Sequence, residues 1–226
     1  MKIVSLLGSP HGLKGNTARL VQLVIDGAID AGAQNETIVL KGKTVKPCKG
    51  CDVCHVKGSC PQEDEFEAIK GQIQEADGLI LASPNYIFSV SAQLKAFMDR
   101  CCGVLHCLGF QGKYGAAVVT SGGGDEAPIA GYMNHFLMIT GIVPVGAVWA
   151  TMGAIQGDRF PDDIRNNAFS LGQNLVKAWK NKEQPKADIT TIMKDFHERM
   201  KQLIIYRKDE WPYEYGYWVR HHGLKS

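Results

Sequence analysis

Apolar positions along this chain fall into two alternating patterns. Short, largely apolar runs bounded by turn residues occur at Ile3–Leu7, Glu36–Leu40, Gly78–Ser83, Tyr114–Ser121 and Val143–Trp149, the length of buried strands. Between them, apolar residues recur at helical spacing over Ala18–Ala31, Asp64–Glu75, Ser91–Cys102 and Ala127–Thr140. Strands that alternate with helices and carry apolar residues on both faces predict an α/β fold, with a parallel sheet covered on both sides.

The pattern changes after Trp149. Thr151–Phe160 reads as a loop and Asp162–Trp179 as a helix, while Asn181–Asp188, charged and containing Pro185, breaks the chain before a second helix to about Tyr206. The end is aromatic, with Trp211, Tyr213, Tyr215, Tyr217 and Trp218 ahead of His221 and His222. Exposed aromatics in this number would be a liability in water, which predicts packing on a neighbouring subunit or over the mouth of a ligand site. A metal pair at His221 and His222 is not expected, because adjacent residues point apart. The chain thus divides into residues 1–150, with a cysteine-rich loop at 46–61 inserted, and a helical extension over 151–226.

Five strands of this kind fit the flavodoxin-like doubly wound order 2-1-3-4-5, in which ligands bind beyond the strand C-termini, beside strands one and three. Three strand-end loops therefore carry the chemistry. The first reads Gly8-Ser9-Pro10-His11-Gly12-Leu13-Lys14-Gly15-Asn16-Thr17. Asn16 and Thr17 are good N-caps for the helix that follows, and loop hydroxyls beside a helix N-terminus suit a phosphate. The loop has neither a Walker Gly-Lys-Ser/Thr nor a Gly-x-Gly-x-x-Gly fingerprint. The third strand ends Ser83-Pro84-Asn85-Tyr86-Ile87-Phe88, and the fourth ends Thr120-Ser121-Gly122-Gly123-Gly124. Tyr86 and Phe88 offer apolar contact to a flat ring, Asn85 and loop amides can bond its polar edge, and consecutive glycines allow close backbone approach.

The Gly-Ser-Pro…Gly-Asn-Thr loop, the Ser-Pro-x-Tyr turn and the helix carrying Leu94-Lys95-x-Phe97-x-Asp99-Arg100 resemble the flavodoxin-like NAD(P)H-dependent FMN reductases over roughly Met1–Trp149. The resemblance implies non-covalent FMN. Ser9, His11, Asn16 and Thr17 would lie at its phosphate, and Pro84, Asn85, Tyr86 and Phe88 at the ribityl chain and ring edge. Ser121, Gly122, Gly123 and Gly124 would face the ring through main-chain N–H groups. NAD(P)H is an expected substrate, and no side chain is assigned as acid or base.

Between strands two and three, Cys48, Cys51, Cys54 and Cys60 follow Cys-x2-Cys-x2-Cys-x5-Cys. Compact thiolates of this kind can close on a single [4Fe–4S] cluster, and the motif within such a domain resembles the iron–sulfur flavoproteins. A four-cysteine zinc site, redox disulfides and a plain loop stay open. His55 is expected to be exposed rather than a ligand, and Cys101, Cys102 and Cys107 to be buried small hydrophobes. Lys41, Lys43, Lys46, Lys49 and Lys57 could offset cluster charge or steer an acidic donor, or form a solvated surface.

Composition narrows the partners. The 226 residues are long enough to bury a sizeable core, and a formal charge of +2 gives no electrostatic case for nucleic acid or a membrane surface. No signal peptide or membrane span is read. Seven cysteines, four of them crowded together, suit a reducing cytoplasm and a metal site. The expected partners are a small-molecule donor or acceptor, a ferredoxin-type carrier and further copies of the chain, as dimer or tetramer. The expected function is an FMN-dependent oxidoreductase that passes electrons between a cluster and FMN. An NAD(P)H-dependent FMN or quinone reductase without a cluster and a non-enzymatic zinc-loop binding protein are the alternatives.

Overall fold

The computed structural model describes residues 1–42, 45–157 and 159–225; Lys43 lies outside them. Five strands, β1 (Lys2–Leu7), β2 (Gln34–Val39), β3 (Gly78–Pro84), β4 (Tyr114–Ser121) and β5 (Val143–Thr151), form one sheet in the order β2-β1-β3-β4-β5. Every pairing is parallel. The central strands β3 and β4 are buried at every position. The β2 edge begins two residues earlier than its apolar run, because its polar Gln34 and Glu36 alternate outward while Gln34 N–H bonds Met1 O. At the other edge a register shift between Gly115 and Ala116 accommodates Pro144, a residue that fits only an edge or a bulge.

Successive strand residues feed opposite cores. Val4, Leu6, Leu79, Leu81, Ala117 and Val119 pack with α3 (Phe66–Glu75), α4 (Ala92–Arg100) and α6 (Glu126–Ile139). Ile3, Leu7, Ile80, Ala82, Ala116 and Val118 face α1 (Asn16–Asp30) and α7 (Asp162–Asn181). α1 and α7 meet backbone to backbone. A Cβ on Gly27 would lie 1.9 Å from Phe169 O, and one on Gly172 would lie 1.9 Å from Val24 O. The first helix of the C-terminal extension thus completes a face of the sheet.

The helix expected over Ser91–Cys102 is divided. Ser91 caps it by accepting from Leu94 N–H at 3.2 Å. It stops at Cys101, and α5 (Cys102–Cys107) starts afresh. The remaining helices are α2 (Val53–Lys57), α8 (Ala187–Tyr206) and α9 (Pro212–His221). Pro212 starts α9 where its missing N–H costs nothing. Part of the aromatic tail packs on its own chain, beside the cysteine segment and not over the strand-end loops. Trp218 is fully buried with Leu108, Met200 and Ile204, and its Nε1–H donates to His106 O at 2.9 Å. No described helix is long and apolar enough to cross a membrane.

Candidate functional site

The ends of β1, β3 and β4 enclose a cavity of about 190 Å³. Ser9, His11, Asn16, Thr17, Pro84, Asn85, Tyr86, Ser121 and Gly122 line it together with Thr120 and Met152. Neighbouring parallel strands put these loops side by side, since Leu7 pairs with Ala82 and Pro84 with Thr120. Phe88, Gly123 and Gly124 do not line the cavity. Ile87 and Phe88 both have positive φ, 49° and 59°, in a turn closed by Tyr86 and Ser89. Phe88 consequently stands 73 % exposed outside the cavity. Bulky side chains seldom occupy this backbone region, and strain of this kind clusters at ligand clamps.

The phosphate end is built by close approach. Ser9 is buried, and Ser9 O accepts from Gly12 N–H at 2.9 Å. A side chain at Gly15 would meet His11 Cβ at 2.9 Å and Ser9 Oγ at 3.2 Å. Gly15, not Asn16 or Thr17, is the N-cap of α1, and no side chain caps that end. The first-turn N–H groups therefore remain to serve an anion, and no acidic residue competes there. Thr17 Oγ1 and Thr120 Oγ1 share one hydrogen bond of 2.7 Å, which leaves the pair a second proton to donate.

The opposite wall holds an orphaned acceptor. Asn85 Nδ2–H donates to Gly124 O at 3.0 Å, while Asn85 Oδ1 is buried without a partner. A buried acceptor of this kind suits an imide N–H of a flavin ring. The glycine loop is held in shape by Glu126, whose Oε1 accepts from Ser121 Oγ and, at 2.6 Å, from Thr151 Oγ1. Gly124 N–H donates to Ser121 Oγ at 2.8 Å, and Gly153 N–H donates to Gly122 O at 3.0 Å. Burial alone would raise the Glu126 carboxyl; these hydroxyls outweigh it and hold it low. Glu126 carries no motif and was not anticipated.

A profile of the NADPH-dependent FMN reductase family matches residues 1–156. The chain belongs to that family. An iron-sulfur flavoprotein of Archaeoglobus fulgidus is 36 % identical over 183 residues, 80 % of this chain and 82 % of that one. An iron-sulfur flavoprotein of Methanocaldococcus jannaschii is 37 % identical over 192 residues, 80 % and 98 % of the two chains. Among solved structures, an NADH:FMN oxidoreductase in its apo form superposes with a TM-score of 0.57 at 19 % identity, covering 83 % of this chain and 92 % of that one. An archaeal flavodoxin gives 0.52 at 17 %, covering 80 % and 99 %. These two likenesses confirm the flavodoxin-like fold. The protein is a flavin-dependent oxidoreductase.

In this FMN reductase family member the cysteine segment is held at its ends. Arg100 and Asp64 form a buried ion pair at 2.8 Å, and Arg100 also donates to Lys46 O at 3.0 Å. Burial alone would raise the Asp64 carboxyl; Arg100 and the N–H groups of Lys46 and Phe66 overcome that and hold it below the usual range. Cys60 N–H donates to Glu67 at 2.7 Å. Cys48 and Cys51 are exposed, while Cys54 and Cys60 are partly buried and line one small cleft. Gly50 N–H reaches Cys48 Sγ at 3.4 Å, a bond that suits a thiolate. The donor set fits an iron–sulfur centre chemically, because in a cluster each thiolate binds a different iron and the four sulfurs need not meet at one ion.

Among the described residues a different group does converge. His55, Cys102 and His106 bring their ligand atoms within 4.8 Å of one another. His55 is 3 % exposed, which corrects the expectation of a surface position. Its Nδ1–H donates to Glu214 Oε1 at 2.6 Å, and His106 Nδ1–H donates to Glu214 Oε2 at 3.1 Å. Trp211 stacks on both imidazoles, with centroids at 4.5 and 5.0 Å. Cys102 is no inert hydrophobe. The two imidazoles overcome burial and bring its thiol down to about 6. Cys101 and Cys107 do match expectation, since burial pushes both thiols up.

Proposed function

We propose that this protein binds FMN in the strand-end cavity and carries a [4Fe–4S] cluster on Cys48, Cys51, Cys54 and Cys60. The flavin supplies hydride or single-electron chemistry when bound, and the cluster supplies single electrons. The chain's own part is to bind and orient. The α1 N-terminus, Ser9 and the Thr17–Thr120 pair hold the phosphate, Asn85 Oδ1 accepts from the ring edge, and the loop fixed by Glu126 presents its N–H groups. The observation that carries the FMN reading is the orphaned Asn85 acceptor facing a loop-lined cavity at the sheet's switch point. The names of the two iron-sulfur flavoproteins and the four-thiol spacing support the cluster.

The electron source is a ferredoxin-type carrier acting through the cluster, with a small molecule as the final acceptor, in a homo-oligomer of the cytoplasm. A second reading has NAD(P)H reduce FMN directly for a quinone. It is favoured by the family profile and by likeness to an NAD(P)H:quinone oxidoreductase from Methanothermobacter marburgensis, at 19 % identity and a TM-score of 0.55 over 81 % of this chain and 96 % of that one. Protein purified without oxygen separates them. Flavin peaks with a broad brown shoulder and four irons per chain support the first reading. Flavin without iron leaves the second, and a colourless chain rejects both.

A further inference from the structure

The centre formed by His55, Cys102, His106 and Glu214 lies outside the strand-end cavity and borders the four-cysteine motif, where Cys54 Sγ is 4.0 Å from His55 Nε2. Glu214 also lies beyond the segment that the family profile matches. Its geometry is specific. Cys102 Sγ is 4.0 Å from His55 Nε2 and 3.8 Å from His106 Nε2. Each imidazole turns its other nitrogen to one oxygen of the same carboxylate. That carboxylate is fully buried, and the side chains of His55 and His106 are 4 % and 12 % exposed.

We propose that His55 Nε2, Cys102 Sγ and His106 Nε2 bind a zinc ion, with Glu214 fixing both imidazoles from behind. A nitrogen–sulfur set of this kind suits zinc, and three protein ligands leave one tetrahedral position open. Zinc–sulfur and zinc–nitrogen bonds of about 2.3 and 2.0–2.1 Å set the ligand atoms about 3.5 Å apart. The two sulfur–nitrogen separations need only a few tenths of an ångström of closure, and the ligand atoms all start within 4.8 Å of one another. Ligating histidines typically donate their second N–H to a carboxylate, which fixes the tautomer and the ring plane. Here one carboxylate does so for both rings. On binding, the ion would take the place of protons on the two Nε2 atoms, while both Nδ1–H groups stay on Glu214.

A reactive thiol is the competing use of Cys102, since one imidazole held by a carboxylate would suffice to activate it. It leaves the second imidazole, matched to the first in partner and distance, with no task. Zinc employs both. The ion would tie α2, inside the cysteine segment, to α5 directly and to the C-terminal α9 through Glu214. No part of this rests on the cluster, because Cys48, Cys51, Cys54 and Cys60 are not among the ligands.

The test is zinc titration of the full chain against a chromophoric chelator. The protein is prepared without oxygen, loaded with iron and FMN, and stripped of loose metal. Wild type should take up one zinc equivalent that Cys102→Ser and His106→Ala do not. Glu214→Gln should bind it about 10–100-fold more weakly. Iron and FMN contents equal to wild type in Cys102→Ser, a near-isosteric change, show that the loss is local. Independently of any variant, zinc should slow iodoacetamide labelling of Cys102, read by peptide mass, at least tenfold. Equal zinc uptake by wild type and Cys102→Ser would overturn the proposal. Labelling of Cys102 that zinc leaves unchanged would also overturn it and assign the His55–Cys102–His106 group to thiol chemistry.

Discussion

The strand-end cavity and the cysteine segment are built by different means. The cavity is made by turns that leave adjacent parallel strands, so every wall lies within a few residues of a paired strand end. The cysteine segment has one five-residue helix and is otherwise irregular. It takes its shape from outside, from Arg100 and Asp64 at one end and from Glu67, Lys70 and Tyr213 along its length. The two regions share no lining residue. A site dictated by sheet register tolerates the loss of side chains far from it, whereas a site held by distant partners fails when any one of them is removed.

Removing a thiol should break the comparison most sharply. Cys54→Ser is expected to lose iron and the broad visible absorption entirely while the flavin peaks stay. Reduction by a ferredoxin-type donor should disappear with the iron, and direct reduction by NAD(P)H should survive. Iron assay and anaerobic spectra decide it. A Cys54→Ser protein that keeps its full iron would remove Cys54 from the ligand set.

The next largest effect concerns the anchor of the segment. Asp64→Asn leaves the Arg100 guanidinium, whose side chain is fully buried, without its counter-charge. Breaking a buried pair in this way costs roughly 3–5 kcal/mol, which a denaturation midpoint would register. Because the Asp64 carboxyl sits below its usual range in the folded chain, the pair's stabilisation is present above the ordinary carboxylate pKa. It is lost as pH falls through the lowered value. The wild type should therefore lose stability on acidification more steeply than Asp64→Asn. Parallel pH profiles for the two proteins would contradict this.

At the cavity, Ser9→Ala combined with Thr17→Ala should weaken FMN at least tenfold, since each hydrogen bond to a charged phosphate contributes roughly 1.5–3 kcal/mol. The iron content should not change. Equilibrium dialysis against FMN gives the first number, and unaltered affinity in a folded double variant would move the phosphate elsewhere.

What could be seen in the sequence follows the same division. The sheet order and most of the cavity were legible, because short apolar runs mark strands and ligand loops must follow strand ends. A residue pattern does not show that Ile87 and Phe88 both turn to positive φ, which leaves Phe88 exposed and out of the cavity lining. Asn16 and Thr17 look like caps, yet the cap lies one residue earlier, at Gly15, and Asn16 already opens the helix. His55 was misread for a physical reason. Its carboxylate partner Glu214 lies 159 positions away on a helix that covers the segment, and no local periodicity connects them. The aromatic crowding around Glu214 was a visible hint of burial, but the surface it covers became evident only with the fold.

The smallest effect expected is that of Trp211, and it tests how the tail supports the cysteine side of the molecule. Trp211 lies nearly parallel to His55 and His106, at interplanar angles of 27° and 20°, and Arg207 approaches its outer face at 5.5 Å. It makes no hydrogen bond to the imidazoles, so it holds them by stacking alone, while Glu214 fixes their nitrogens. Aromatic pairs of this kind contribute about 0.5–1.5 kcal/mol beyond the area they bury. Trp211→Leu keeps an apolar cover and loses the stack, so it should lower the denaturation free energy by about 1 kcal/mol. FMN affinity should be unchanged, because Trp211 lies outside the cavity. The rings of His55 and His106 should gain mobility, visible as broadened imidazole resonances. A loss of FMN in this variant would mean that the tail reaches the flavin side after all, and that the two regions are coupled more closely than their separate linings imply.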